Sequence, residues 1–328
     1  MADFALDESA LAAPYSSYAR CTRFLREAAE EAGLTVEPWR GGRLGSEVLW
    51  VPRLRLPDVD APRLVVTCHD VNPLLPDGRP AWKRWWRARR YLALLRTAAK
   101  RAWRMCSPSR DAAARVAAAL GGPPPHVVPW FTPGELNPTT DERDAARLAG
   151  WGLTPGYVLY LGALRRHKNW QTAVRAFAAL PGELRARHPL VLAGSRRRAE
   201  RESERLLHAL GIEARFIADL GDEELPSLYR GARAFVFPSR LEGFGLPPLE
   251  AQACGVPVVA SNATSLPEVL GNGAALLDPD DVGGFAEALA ALLADPAAHA
   301  AARAAGQANA ARFSRRATGT AMRALLNA

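Results

Sequence analysis

The chain has 328 residues, 48% of them hydrophobic, with four cysteines and a formal net charge of +8. That size and apolar content imply a globular chain of one large or two ordinary domains with a full core to bury. No apolar run of about 18 residues occurs, and the acidic start Met1 to Glu8 has neither the basic nor the apolar part of a secretion signal, so a cytoplasmic location is expected. Cys21, Cys68, Cys106 and Cys254 are scattered, with no C-x-x-C pair and no histidine cluster at metal spacing. Buried thiols are expected, and no disulfide framework or metal site.

From the amino end, strand-like apolar runs fall at Glu47 to Val51, Leu64 to Cys68, Met105 to Ser107 and His126 to Val128. Asp58-Val59-Asp60 sits among prolines and reads as a loop, not as a metal-binding D-x-D string. His69 follows the second run beside Asp70 and is open to two readings, a strand-end histidine bonded to backbone or a ligand contact. Between Lys83 and Arg104 stand Lys83, Arg84, Arg87, Arg89, Arg90, Arg96, Lys100, Arg101 and Arg104 with no acid, more cations than the excess of the whole chain. Trp82, Trp85, Trp86, Leu92, Leu95, Ala99 and Trp103 recur there mostly at three- and four-residue steps, which predicts a basic amphipathic helix with tryptophans near both ends. Such a helix can pack on its own domain, lie on an anionic membrane surface, or contact nucleic acid.

Thr132 to Gly156 is rich in Pro, Gly, Thr and charge, and a domain boundary is placed within it, after residue 145. Further strand-like runs follow at Tyr157 to Leu161, Leu190 to Ala193, Ala214 to Ile217, Ala234 to Phe237 and Val256 to Ala260. Strands alternating with helical patterns predict parallel sheets covered by helices, with ligands in the cleft outside the carboxyl ends of the strands. Glu242 and Glu250 stand eight positions apart across Gly243-Phe244-Gly245, which runs into a helix. Glycines let that turn approach a ligand, and Pro247 suits the first helical position. The amides of Phe244, Gly245 and Leu246 then face outward at a positive helix end that attracts phosphate. Ser265 and Glu268 read as a capping box before Val269, and Asp278-Pro279-Asp280 as the cap of a helix near Val282. Ala-rich helices follow Gly283, and a last helix is read over Arg315 to Leu326. No P-loop or dinucleotide fingerprint occurs.

Together these residues resemble the retaining glycosyltransferases of family 4, the glycosyl transferases group 1. The resemblance covers most of the chain and is strongest from Phe237-Pro238-Ser239-Arg240-Leu241 through Glu242 to Glu250 and on to Gly255-Val256-Pro257-Val258-Val259-Ala260-Ser261. It is supported by Tyr160 to Asn169, Leu192-Ala193-Gly194, Leu228-Tyr229 and Ser265 to Glu268, and in the amino half by Val65 to Asp70 and Cys106 to Ser109. The fold implied is α/β GT-B, two doubly wound Rossmann-like domains facing across a cleft. Residues 1–145 would be the acceptor side, 146–312 the nucleotide-sugar side, and 313–328 a helix crossing back.

The resemblance implies transfer of a sugar, of mannose or rhamnose type, from a nucleoside diphosphate to an acceptor hydroxyl with retention, by front-face substitution. Polysaccharide, glycolipid or small-molecule glycoside synthesis would be the setting. Lys168 matches the family's phosphate-binding lysine, Glu242 the contact to donor-sugar hydroxyls, and Glu250 the grip on ribose. His69 matches the histidine-bearing strand end, and Gly243, Phe244, Gly245 and Leu246 line the donor. No metal or other cofactor is implied. The partners implied are the donor and a glycan, lipid-linked or small-molecule acceptor, without nucleic acid; contact with an inner membrane face through 82–104 is a reading of the basic amphipathic helix itself, not of the resemblance. The chain departs from the family at Ala163, where some relatives carry arginine, so the second cation falls to Arg165 or Arg166. It also departs at Pro14 to Arg20, in place of a glycine-rich loop, at Ala218, and at Phe313-Ser314-Arg315, which lacks a tryptophan. A GT-B shell kept as a non-catalytic binding module is the alternative.

Overall fold

The computed structural model describes residues 2–12, 17–75, 80–195 and 199–328, and Pro14 to Ser16 of the departing loop lie outside these. The chain forms two compact units, Met1–Phe131 with Phe313–Ala328, and Thr132–Arg312. Strands of the first unit are β1 (Phe4–Asp7), β2 (Val36–Trp39), β3 (Val48–Val51), β4 (Arg63–Thr67), β5 (Arg104–Ser107) and β6 (His126–Val127). They pair in parallel in the order β2-β1-β3-β4-β5-β6. Helices α1 (Ser17–Glu31), α2 (Ala81–Arg101), α3 (Arg110–Leu120) and, from the end of the chain, α13 (Arg315–Asn327) complete the unit.

Two of these strands were not anticipated. β1 is four residues long and merges into charge at Asp7 and Glu8, and β2 contains Pro38. A proline is tolerated there because β2 is an edge strand with one side unpaired. Alternation along β3 sends Leu49 and Val51 into one cluster, while Trp50 meets Phe4 on the other face at 5.5 Å between ring centres. The buried indole N–H of Trp50 donates to Thr67 Oγ1 at 2.9 Å. α13 packs on α1 so closely that a Cβ on Gly319 would meet the Ala28 carbonyl at 2.3 Å. Thr318 Oγ1 donates to the Pro129 carbonyl at 2.8 Å, and Arg315 pairs with Glu27 at 2.9 Å.

The second unit holds β7 (Tyr157–Leu161), β8 (Leu190–Ala193), β9 (Ala214–Ile217), β10 (Ala232–Phe237), β11 (Val258–Ser261) and β12 (Ala274–Leu277), paired in parallel as β12-β11-β10-β7-β8-β9. Its helices are α4 (Glu142–Gly150), α5 (Trp170–Ala178), α6 (Gly182–Arg187), α7 (Glu200–Leu210), α8 (Leu225–Arg230), α9 (Leu246–Ala253), α10 (Leu266–Leu270), α11 (Val282–Ala294) and α12 (Pro296–Ala310). β12 escaped the sequence reading because two alanines and two leucines at a partly exposed edge carry a weak strand pattern. The cap of α11 is Asp281, whose side chain accepts from Gly284 N, while Asp278 accepts from Asp280 N within the preceding turn. All four cysteines are buried free thiols.

The second unit begins at Thr132, ahead of the boundary placed after residue 145. The reason is α4, which is capped by a reciprocal box between Asp141 and Asp144 and carries Asp144 onto α8. There Arg230 grips both carboxylate oxygens, Nε to Oδ2 at 2.6 Å and Nη2 to Oδ1 at 2.7 Å, and Ser227 Oγ adds a bond at 2.7 Å. Burial alone would raise the Asp144 carboxyl, but the bonds from Arg230, Asp141 N and Ser227 outweigh it and hold the group at about 2, below its ordinary 3.8. The folded state therefore keeps the carboxylate charged where the unfolded chain takes up a proton, so this stabilisation is complete above pH 3.8 and fades as pH falls toward 2. Asp144→Asn leaves the Arg230 guanidinium, whose side chain is 8% exposed, with backbone carbonyls but no counter-charge, and is expected to cost about 3 kcal/mol at pH 7. Urea unfolding at pH 7 and below 3.8 checks this, the gap between the two proteins narrowing at the lower pH.

Candidate functional site

The strand order of the second sheet reverses between β7 and β10, with β8 and β9 beyond one and β11 and β12 beyond the other. Segments leaving the carboxyl ends of two such strands diverge, and the crevice they leave is where ligands bind in open α/β sheets. The E-x7-E element leaves β10, and the Lys168 turn leaves β7.

On the β10 side the chain turns through Pro238 to Gly245 and enters α9 at Leu246. Pro247 is thus the second helical residue, one later than anticipated, and still costs no hydrogen bond because first-turn amides have no intrahelical partner. Gly245 caps the helix at φ +102°, and a Cβ there would meet Leu266 Cδ2 at 2.5 Å, so both conformation and space require glycine. Gly243 is not in the left-handed region, which leaves the sharp reversal to Gly245.

On the β7 side the chain forms one short turn, Arg166–Lys168, closed by Asn169 in the left-handed conformation at φ 52°. Asn169 Nδ2 donates to the Pro279 carbonyl at 2.6 Å, fixing the end of that turn. The His167 carbonyl accepts from Arg240 N at 2.8 Å and Ser239 Oγ at 3.3 Å, which ties the two loops together.

This brings Lys168 onto Glu242. The ammonium donates to both carboxylate oxygens, at 2.6 and 2.9 Å, and lies 5.6 Å from the centre of the Phe237 ring. The pair is sheltered, with the side chains 21% and 9% exposed. Arg165 and Arg166 sit exposed on the same turn. Glu250, within α9, is fully buried, and its Oε2 accepts from Tyr229 of α8 at 2.8 Å. Among the described residues no three His, Cys, Asp or Glu side chains gather as a metal site would require.

In the first unit His69 follows β4. Its Nε2 lies 2.7 Å from the Pro52 carbonyl, which can only accept, so Nε2 carries a proton and, in the neutral ring, Nδ1 is the acceptor. Trp130 stacks on the imidazole at 5.6 Å and Tyr18 meets it edge-on at 5.2 Å. Burial lowers the His69 pKa, against smaller opposing contributions from the Pro52 bond and Asp70. The first sheet reverses its order between β1 and β3, and Asp7 and Arg53 meet there at 3.5 Å, with Ser9 donating to Asp7. No motif in the sequence singled out that cluster.

A family model, Glycosyl transferases group 1, matches residues 143–310, about half of the chain and all but the edges of the second unit. The chain belongs to the glycosyl transferases group 1. Within that family it is 44% identical over 161 residues to the O-antigen chain mannosyltransferase B of Escherichia coli, covering 48% of this chain and 42% of that one. To a D-inositol 3-phosphate glycosyltransferase of Corynebacterium jeikeium (strain K411) it is 36% identical over 186 residues, 53% and 43% of the two chains. The chain thus spans less than half the length of these relatives. Among solved structures, a sucrose-phosphate synthase from Thermosynechococcus elongatus superposes with a TM-score of 0.79 at 21% identity over 99% of this chain and 98% of that one. Anabaena Alr3699/HepE in complex with UDP-glucose follows at 0.74 and 18%, over 99% and 98%. These likenesses establish the fold, which is GT-B with two doubly wound Rossmann-like units.

The structure gives the Ser265 hydroxyl of this group 1 transferase another role and adds a residue the sequence reading passed over. Ser265 stands at the N-cap position of α10, but its side chain makes no capping bond there; its hydroxyl donates to the carbonyls of Phe244 at 2.9 Å and Glu242 at 3.3 Å. Thr264 accepts the Glu242 amide on Oγ1 at 3.0 Å while held at φ 55°, a conformation unusual for a β-branched residue. A strained threonine beside a buried serine, both spent on one loop, marks a device for holding Glu242 in place. Loss of the acceptor in Thr264→Ala should speed hydrogen exchange of the Glu242 amide by roughly tenfold or less, matching a bond of about 1 kcal/mol, while Thr264→Ser keeps the protection. Amide exchange followed by NMR reads both variants.

Proposed function

We propose that this group 1 transferase moves a sugar from a nucleoside diphosphate to an acceptor hydroxyl with retention at the anomeric carbon. The observation that carries the reading is the sheltered Lys168–Glu242 pair on the two loops that leave the second sheet where its strand order reverses. A cation, a carboxylate and helix-start amides at one crevice suit a ligand that is part diphosphate and part polyol. Support for a mannose-type sugar, with rhamnose next, and for polysaccharide synthesis comes from the likeness to the O-antigen chain mannosyltransferase B. Glycolipids and small-molecule glycosides are the other acceptor classes in this reading.

As the sugar–phosphate bond lengthens, the sugar becomes oxocarbenium-like and negative charge gathers on the departing diphosphate. Lys168, one of Arg165 and Arg166, and the amides of Phe244, Gly245 and Leu246 offset that charge, which lowers the barrier without calling on a metal. Before the donor arrives, the ammonium and the Glu242 carboxylate keep each other paired and placed; with donor bound, Lys168 turns to phosphate and Glu242 accepts from sugar hydroxyls. Glu250, oriented by Tyr229, accepts from the ribose. His69, neutral and with Nδ1 as its acceptor, takes a hydroxyl of the sugar or the acceptor. In the front-face substitution a departing phosphate oxygen removes the acceptor's proton, so no side chain has to act as base. A cytoplasmic location goes with this reading, because nucleoside diphosphate sugars are made from nucleoside triphosphates inside the cell.

Thermal unfolding with UDP, GDP, dTDP and their common sugar conjugates, all in EDTA, tests the donor site. One base is expected to stabilise the protein by about 2.7 kcal/mol at a hundred times its Kd, and Glu250→Gln to abolish the effect. With the matching sugar conjugate and an acceptor mixture, Lys168→Ala should lower turnover by about 10²- to 10³-fold. A response that appears only on adding a divalent cation would overturn the metal-free part. If no nucleotide stabilises the chain and no sugar is transferred, the chain is a binding module instead.

A further inference from the structure

Helix α2 is divided along its length. From Arg87 onward it is fastened to its own unit: Arg87 donates to the Asn72 carbonyl at 3.2 Å, Tyr91 to the Asp70 carbonyl, and Arg101 to the Val59 carbonyl at 3.1 Å, while Leu95 and Ala98 are buried in the core cluster. The first turns are not fastened in this way. Trp82, Trp85 and Trp86 are 63%, 52% and 57% exposed, three large apolar side chains on consecutive turns facing solvent. The tryptophan anticipated at the other end, Trp103, is half-buried, with the Arg63 and Arg104 guanidiniums 5.1 and 4.3 Å from its ring centre.

The outward face of α2 therefore runs Trp82, Trp86, Arg90, Ala93, Thr97, Lys100 at three- and four-residue steps, with Arg89 beside Arg90, all exposed, and Leu94 at its border. Tryptophan at one end of a helix face, cations along the rest and no acid from 83 to 104 match a surface that is apolar below and negatively charged above. The tryptophan rings already carry cations at their faces, Lys83 5.1 Å from the centre of Trp82 and Arg89 4.8 Å from that of Trp85. Trp85 and Trp86 meet edge to face at 5.0 Å. Those contacts place a cation against one face of Trp82 and of Trp85, so apolar ring and positive charge stand side by side on the exposed first turns.

We propose that this face is a membrane-docking surface, which seats Trp82, Trp85 and Trp86 at the boundary between headgroups and acyl chains and sets Arg89, Arg90 and Lys100 against anionic lipid headgroups. It does not depend on the donor reading. Docking here would hold the segment Asp70–Asn72, and with it the neighbouring His69, at the membrane surface, which suits a lipid-linked acceptor.

Flotation of the full chain with vesicles of phosphatidylcholine alone, or containing a quarter phosphatidylglycerol, tests the proposal. Binding is expected only with the anionic lipid, at least about tenfold weaker in 0.5 M than in 0.1 M NaCl, with a blue shift of tryptophan emission and quenching by brominated lipid. Trp82→Ser combined with Trp85→Ser and Trp86→Ser should lose the shift, the quenching and at least about tenfold in binding, with an unchanged unfolding midpoint and an unchanged response to nucleotide, because these rings lie outside the core. Arg89→Gln with Arg90→Gln and Lys100→Gln gives an independent reading by charge if the tryptophan variant folds poorly. Failure to bind anionic vesicles, or full binding by both variants, overturns the proposal. Salt-sensitive binding of a short single-stranded RNA in place of vesicles, lost in the same variants, would make the face a nucleic-acid surface.

Discussion

The reversal of strand order between β7 and β10 is the constraint from which the candidate site follows. Parallel strands end at the same edge, so their following loops are neighbours wherever the strands are, and a reversal keeps the next helices from filling the gap. Lys168 and Glu242 are 74 residues apart in the chain, yet the ammonium reaches both carboxylate oxygens because β7 and β10 pair directly. Desolvating one of these groups without the other would be costly, and each is the other's partner. The Phe237 ring lies 5.6 Å from the ammonium and makes that side of the pair apolar, where the attraction is less screened.

Around that pair the structure invests polar bonds and backbone strain in a single loop. Thr264 and Ser265 clamp it from one side, the His167 carbonyl from the other, and Gly245 leaves room for Leu266 beneath it. Tyr229 does the same for Glu250 inside α9. Such supports matter because interactions with developing charge depend on donors already in position when the reaction occurs. The first unit repeats the logic at its own reversal, between β1 and β3, where Asp7, Ser9 and Arg53 form a charged cluster.

Helix α2 shows how one composition can serve two purposes. Its amphipathic pattern is a single stripe in the sequence, but the part from Arg87 onward is held by carbonyls of the Asp70–Asn72 and Pro57–Val59 segments and the tryptophans before it are not. Periodicity counts residues on a face; it does not say where the neighbouring surface stops.

By itself the sequence determined the α/β class, most of the strands and the glycine-bracketed turn from Glu242 to Glu250, because these depend on local patterns: apolar runs, glycine at a turn, proline at a helix start; Lys168 stood out only through the family resemblance. β2 and β12 were hidden because edge strands admit proline and small residues that central strands do not. The tertiary structure alone decided that Ser265 clamps the Glu242 loop instead of capping its own helix, since a hydroxyl bonds whichever carbonyl packing brings near. It also decided that Asp144 ties α4 into the second unit, that Tyr229 orients Glu250, and which half of α2 stays exposed. Each of these is a meeting of residues far apart in the chain, and strand order, which no local pattern encodes, sets who meets whom.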